Sequence, residues 1–310
     1  PEVMVKVTQG RKNPETGKRE VPCKNMRAIR HHMDYITRNG AVELEDENGQ
    51  IYVGREDVRD VLNGWAKGGI GIPDANGTPR EAHSIVLSMP PGTDRASVKA
   101  AARAFAAAEF PTHQYVFAAH DDEAHPHVHL TVKTTDRDGV RLNPRKADLQ
   151  HWRELFAEKL REQGIEANAT PRKARGIVQK AEKQAVRHIE ERGSTSKVMA
   201  GRRADAEQEA AGGPSKPNPA QDRISVTRKE TQHAYGQIAR ALAHGDSDDK
   251  QLALQIVRFV QQMPPPITKH QAMVQELRRQ QQTGIARTKT QEKPKDVEQG
   301  RGNGDGGKSR

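Results

Sequence analysis

The sequence predicts a mixed α and β domain, a sheet with helices packed on it, over residues 1–170, followed by a basic and mostly helical region. Three observations carry this. The 310 residues suffice for about two domains, and the strand-like and helix-like patterns before residue 170 succeed one another in an order that layers helices on a sheet. Nine of the eleven aromatic residues, from Tyr35 to Phe156, precede residue 170, and Tyr235 and Phe259 follow it. Residues 1–170 hold 24 basic and 25 acidic side chains while residues 171–310 hold 27 and 16, so the excess of +10 lies in the second half. The core-forming part is therefore N-terminal. Apolar residues make up 33% and aromatics 4% of the chain, below the ~45–50% of a compact globular chain even with glycine counted as apolar. Part of the protein should be poorly cored.

The elements follow in order. Residues 3–7 alternate weakly as a strand, residues 24–38 carry a helical pattern (Met26, Ile29, Met33, Ile36), and Asn39-Gly40 stops that helix. Residues 46–49 make a turn into a short strand at 50–53. Residues 55–67 read as a helix and 68–77 as a glycine-rich loop. A strand at 83–89, a Pro-Pro-Gly turn, and Asp94 as N-cap of an alanine-rich helix to Phe110 come next. Residues 114–119 and 127–134 are strands flanking a polar turn, and 147–163 is an amphipathic helix ended by Gly164. Beyond residue 170, residues 171–222 read as a charged helix (172–192) and a linker (193–222), residues 223–287 as a small helical region, and 288–310 as a disordered basic tail. Three short helices at 223–243, 248–263 and 268–282 make up that region, with Pro264-Pro265-Pro266 separating the last two.

Several classes are excluded. No apolar run approaches the ~18–20 residues of a bilayer span, so no membrane insertion is expected, and no basic-then-apolar secretory signal opens the sequence. A single cysteine, Cys23, excludes an internal disulfide and any zinc site built on two or more thiolates. Any metal must be held by histidine and carboxylate. No Gly-x4-Gly-Lys-Ser/Thr loop is present, so ATP-driven unwinding must come from elsewhere. The basic excess points to a polyanionic partner without identifying it.

The most informative segment runs from His120 to Val132. Four of the 13 histidines, His120, His125, His127 and His129, fall within ten residues. In a strand beginning at 127, His127, His129 and Thr131 share one face while Val128, Leu130 and Val132 face the core. His120, at the end of the preceding strand, can close a three-imidazole set around a divalent ion. Asp122 stands where it could fix the far nitrogen of one imidazole. His125, on the turn beside Pro126, is a bystander. A bare His-x-His on a strand is more often a polar face; the full His-x-Asp-x4-His-x-His between two apolar strands favours metal. With no second cysteine and no Gly-x-Ser-x-Gly elbow, the search for a nucleophile turns to hydroxyls. Tyr35, near the end of its helix among basic and histidine side chains, stands out, although taken alone it reads as a packed helix tyrosine.

Three segments in order change that reading: Asp34-Tyr35-Ile36-Thr37-Arg38-Asn39-Gly40, then His83-Ser84-Ile85-Val86-Leu87-Ser88-Met89-Pro90-Pro91-Gly92-Thr93-Asp94, then the His120–His129 cluster. Together they resemble the ordered motifs of conjugative relaxases, more narrowly the P mobilisation class of plasmid and T-DNA border relaxases, within the HUH endonuclease superfamily. Arg175-Gly176-Ile177 is similar to a junction sequence of the T-DNA border members. The resemblance covers about residues 20–180 and implies an α+β fold, the antiparallel-sheet HUH endonuclease domain with helices packed on the sheet.

The resemblance further implies a nicking and strand-transfer enzyme. Tyr35 would attack the scissile phosphodiester at the nic site of an origin of transfer, leaving a 5′-phosphotyrosyl bond and a free 3′-hydroxyl. His120, His127 and His129 would hold Mg2+ or Mn2+, and the three imidazoles are softer ligands than magnesium prefers. Asp122 would orient His120 or aid deprotonation of Tyr35, and Ser88 would contact DNA beside the scissile phosphate. Single-stranded DNA, relaxosome accessory DNA-binding proteins and a type IV coupling protein are the implied partners. The implied location is the cytoplasm of a bacterial donor, with translocation alongside the DNA into the recipient. Arg11, Lys12, Lys18, Arg19, Lys24, Arg27, Arg30 and Arg38 form a local basic set ahead of and along the tyrosine helix; Arg30 and Arg38 are the DNA contacts expected from it. Three other readings are a rolling-circle initiator or single-strand transposase with the same chemistry, a non-catalytic DNA-binding accessory protein, and a water-using metallohydrolase.

Overall fold

In the computed structural model six strands form one sheet: β1 (Met4–Val7), β2 (Leu44–Asp46), β3 (Ile51–Tyr52), β4 (Ala82–Ser88), β5 (Tyr115–His120) and β6 (His127–Lys133). Their order is β1-β4-β6-β5-β2-β3, and every neighbouring pair is antiparallel. This is the expected α+β architecture. The structure describes residues 1–10, 21–74, 79–179, 182, 184–215 and 217–291, and the chain divides into two units, Pro1–Thr170 and Pro171–Arg310.

The sheet is buried on both faces because its central strands carry apolar residues in both registers. On one face Ile85, Leu87, Phe117, Val128, Leu130 and Val132 pack against α3 (Arg95–Glu109) and α4 (Lys146–Glu162), which contribute Val98, Phe105, Trp152, Phe156 and Leu160. The alanines of α3, Ala101, Ala102 and Ala106, are all buried there. Asp94 caps α3 by accepting the Ser97 N–H at 2.7 Å. On the opposite face Leu44, Ala82, Val116 and Ala118 meet α1 (Met26–Ile36) and α2 (Gly54–Lys67) through Met26, Ile29, Met33, Ile36, Val58, Leu62 and Trp65. Each such side chain, fully buried, contributes about 1.5–3 kcal/mol. Since Val128, Leu130 and Val132 point to the α3–α4 face, alternation turns His127, His129 and Thr131 toward α1.

The second unit holds α5 (Gln184–Glu191), α6 (Lys197–Ala210), α7 (Gln221–Leu242), α8 (Ser247–Gln262) and α9 (Lys269–Gln291). Here α7 packs on α8, and α6 packs on α9 over a core of Ala206, Ala210 and Val274. That core is small, as the composition demands. Two readings need correcting. The segment 193–222 is not linker throughout, since α6 occupies its middle, capped by Ser196 accepting the Met199 N–H at 3.2 Å. Of the charged helix expected at 172–192, α5 is present, while residues 172–177 instead form turns closed by Ile177 N–H to the Arg172 carbonyl at 2.9 Å. The last helix also runs past residue 287, to Gln291. Arg11, Lys12, Lys18 and Arg19, residues 75–77 of the glycine-rich loop, and residues 292–310 of the expected tail lie outside the described residues. Among the described residues no helix is long and apolar enough to cross a membrane.

Candidate active site

Strand β5 ends on His120 and β6 begins on His127, and the register sets His120 opposite His127 and Ala118 opposite His129. Directly opposite residues have Cβ atoms ~4.5–5.5 Å apart, so the turn between the strands brings three imidazoles together. Ring centroids are 4.5 Å apart for His120 and His129, 5.1 Å for His120 and His127, and 5.2 Å for His127 and His129. One ring nitrogen from each lies within 4.8 Å of the other two.

The hydrogen bonds around the rings fit a bound cation. His120 Nε2 lies 2.6 Å from the Ile36 carbonyl and His127 Nδ1 lies 3.0 Å from the His125 carbonyl. A carbonyl only accepts, so each of these nitrogens carries the proton and the opposite nitrogen keeps a lone pair, which in His120 accepts from Arg38 at 3.2 Å and would have to be released to a bound cation. His129 Nδ1 is sealed from solvent and has no hydrogen-bond partner, a cost that a cation among the rings would relieve. Burial, and then the neighbouring histidines, push the His129 pKa down to about 3. His120 is lowered as well, by burial first. Both rings are therefore neutral at pH 7, the state in which imidazole is a ligand.

Helix α1 supplies the nucleophile candidate. Asn25 caps it, its Oδ1 accepting the Ala28 N–H at 2.9 Å, and the buried stripe Met26, Ile29, Met33 and Ile36 fixes which face meets the sheet. Tyr35, next to that stripe, stays 56% exposed. Its ring stands edge-on to His129 at 5.7 Å between centroids and 6.5 Å from His120. The helix then stops abruptly, with Arg38 and Asn39 at φ of 50° and 58° and Gly40 at 89°. Left-handed backbone costs a non-glycine residue ~1–2 kcal/mol. The turn folds Arg38 back, so that its guanidinium carbon lies 5.0 Å from the Tyr35 ring centroid. Arg38 donates to Asp122 through Nε at 3.1 Å and also through Nη2, to the Tyr35 carbonyl through Nη1 at 3.2 Å, and to His120 Nδ1 at 3.2 Å. The Asp122 bond is the main reason the Arg38 pKa is raised and the Asp122 pKa lowered.

The remaining predicted residues fall differently. Asp122 Oδ1 is 4.0 Å from His120 Nδ1, too far to orient that ring, and Arg38 stands between the two. Ser88 pairs with His127 across the sheet and shares its face, yet it is buried at 5% exposure and its hydroxyl reaches the Met89 carbonyl at 3.5 Å. Arg30 is not brought to the cluster; it lies 3.9 Å from Asp74. Two residues escaped the sequence reading. His32, one turn before Tyr35, places Nε2 3.0 Å from Thr131 Oγ1 and pins α1 to the histidine strand, and its spacing from Tyr35 was the available signal. Arg95, at the start of α3, donates to the carbonyls of His120 at 3.1 Å and Glu123 at 2.5 Å and so holds the turn between β5 and β6.

Comparison with known proteins places this geometry. Residues 56–165 match the family model described as "Relaxase: MobA/VirD2-like, nuclease domain", a span that includes Ser88 and the histidine cluster and begins after Tyr35. The chain is 27% identical over 175 residues to the T-DNA border endonuclease VirD2 of Rhizobium radiobacter, covering 51% of this chain and 41% of that protein. It is 26% identical over 175 residues to the proteins of the same name from Rhizobium rhizogenes and Agrobacterium fabrum (strain C58 / ATCC 33970), with 51% of this chain covered in both cases and 40% and 39% of those proteins. The matched part thus spans about two-fifths of the length of these relatives. With the antiparallel sheet and the three facing histidines, these matches make the N-terminal part of the chain similar to the MobA/VirD2-like relaxase nuclease domain and to the T-DNA border endonucleases.

Proposed function

We propose that the protein is a DNA relaxase that cuts one strand at an origin of transfer through Tyr35. The observation that carries this reading is the placement of an exposed tyrosine edge-on to His129 beside three convergent histidines. Tyr35 Oη forms a bond to the scissile phosphorus as the 3′ oxygen leaves, giving a 5′-phosphotyrosyl linkage and a free 3′-hydroxyl. The bond energy is conserved in the linkage, so attack by a 3′-hydroxyl reverses the step and rejoins a strand without ATP. Arg38 places a fixed positive charge beside the ring and the phosphate that approaches it, and Asp122 holds Arg38 in place. Phosphoryl transfer asks chiefly for in-line positioning and charge neutralisation, which this set of residues provides. His120, His127 and His129 would hold the divalent ion, Mg2+ or Mn2+, which when bound supplies Lewis-acid polarisation of a non-bridging phosphate oxygen.

In this reading the enzyme stays on the 5′ end and accompanies the single strand through a type IV secretion system, with accessory DNA-binding proteins at the origin and a coupling protein at the channel. The basic second half then serves export or auxiliary DNA contact. The test is a supercoiled plasmid carrying the cognate origin, incubated with the protein and Mg2+ or Mn2+. The expected product is a nicked circle with protein on the 5′ end, absent with chelator; Tyr35→Phe binds the origin strand without forming it. A cut product with no attached protein would assign the site to a water-using hydrolase.

A further inference from the structure

The α3–α4 face of the sheet holds a second cavity, of about 770 Å3, lined by Lys6, Arg80, His83, Thr134, Arg141 and Arg153 among others. It lies away from the histidine cluster. His83 is five residues along β4 from Ser88, the position opposite His127, roughly 17 Å at ~3.3 Å per residue, and an odd separation puts the two on opposite faces. Among the described residues four cations line the cavity and no Asp or Glu does, in a unit whose net charge is −1 by the counts above.

The cations are held in distinct ways. Arg141 is fixed by the Glu81 carboxylate at 3.3 Å, the Thr135 hydroxyl at 3.0 Å and the Arg80 carbonyl at 2.6 Å. Arg80 donates to His83 Nδ1 at 3.4 Å, and among the described residues Lys6, Arg80 and Arg153 form no ion pair with a carboxylate. Burial is the main reason the Arg80 pKa is lowered, which marks a cation removed from water without an acid to compensate it. His83 is anchored by donating Nε2–H to the Leu142 carbonyl at 3.1 Å. Thr134 supplies the second, independent observation: it is 2% exposed, and its Oγ1 has no hydrogen-bond partner. The guanidinium groups of Arg80, Arg141 and Arg153, with no acid among the described lining residues, and an orphaned hydroxyl beside Val5, Leu142 and Leu149 form a donor set that phosphate oxygens satisfy.

We infer that this cavity binds a phosphate ester, carried either by a nucleotide or by a strand of nucleic acid. The volume suits a nucleotide-sized ligand. Among the described residues no Phe, Tyr or Trp lines the cavity, and its imidazole, His83, is held by Leu142 and Arg80, so recognition rests mainly on phosphate and sugar, independent of sequence. The inference does not depend on the nicking reading, because binding here needs no cut.

The experiment uses the full chain in EDTA, where no metal is held, with inorganic pyrophosphate and a fluorescein-labelled oligothymidylate as probes. Pyrophosphate raises the melting temperature of the unsubstituted chain, and Arg80→Gln and Arg153→Gln each weaken its binding about tenfold or more. If pyrophosphate also competes with the oligonucleotide, and the same substitutions weaken the oligonucleotide, the phosphate comes from a strand. If it binds without competing, the ligand is a free nucleotide or phosphate. Arg153 lies at the edge of the cavity on α4, so its variant decides the matter should Arg80→Gln fail to fold. No stabilisation by pyrophosphate, or unchanged binding in the folded variants, overturns the inference.

Discussion

Arg38 is the residue on which the candidate site turns, since among the described residues it alone hydrogen-bonds Tyr35, Asp122 and His120. Replacing it by alanine removes the charge beside the tyrosine and leaves Asp122 without its partner. Arg38→Ala is expected to lower the cleavage rate of an origin oligonucleotide by about 100-fold, and Asp122→Asn by about tenfold, since asparagine still accepts from the guanidinium. Equal or reversed losses, read from single-turnover kinetics, would instead give Asp122 a task of its own. A second residue-scale prediction concerns pH. Burial lowers the pKa of both His32 and His83 to about 4, whereas an unfolded imidazole titrates near 6.5. The unfolded chain therefore takes up protons between these values that the folded chain refuses. Stability is fully present above pH ~6.5 and falls as pH drops toward 4, by roughly 3 kcal/mol at most for each ring. Urea midpoints at pH 7 and pH 4.5 check this, with His83→Gln flattening part of the difference; a midpoint unchanged in the parent between the two pH values contradicts it.

At the scale of elements, the turn after α1 sets where Arg38 goes. Gly40 has a φ of +89°, and a Cβ there would lie 2.7 Å from the Arg55 nitrogen and the Gly54 carbonyl carbon. Gly49, with a φ of +77°, would meet nothing within 4 Å. Gly40→Ala should therefore cost ~2–3 kcal/mol, and Gly49→Ala ~1 kcal/mol, measured as shifts of the urea midpoint; equal shifts would mean that the backbone at Gly54 gives way freely. Much of this architecture was legible in the sequence for stated reasons. The period of Met26, Ile29, Met33 and Ile36 gave α1, Asp94 gave the start of α3, and strand alternation gave the shared face of His127 and His129. What escaped depends on three-dimensional neighbours. Strand β2 is three residues with two acids, and Glu45 is buried there because Arg103 pairs with it. Helix α6 reads as linker because its buried positions are alanines and a glutamate, Ala206, Glu209 and Ala210. Nothing local in the sequence announces that two left-handed residues return the Arg38 side chain to Asp122.

At the scale of the whole molecule, the charge and the chemistry separate. The sheet unit is near neutral and carries the histidines and Tyr35, while the +11 of residues 171–310 lies in the helical unit. Counterion release then predicts that residues 1–170 alone still cut an origin oligonucleotide, but bind it with a shallower salt dependence than the full chain. Fluorescence anisotropy across a salt series measures both slopes, and identical slopes would place the electrostatic grip within the sheet unit. The central claim is the covalent role of Tyr35, and its most direct measurement is mass spectrometry of the peptides left after the protein has cut an origin strand with Mn2+ and been digested with trypsin. The account predicts one nucleotidyl peptide, spanning residues 31–38, with the mass of the 5′ nucleotides on Tyr35 and none in Tyr35→Phe. A nucleotide on any other residue, or cutting that leaves no modified peptide, would contradict it.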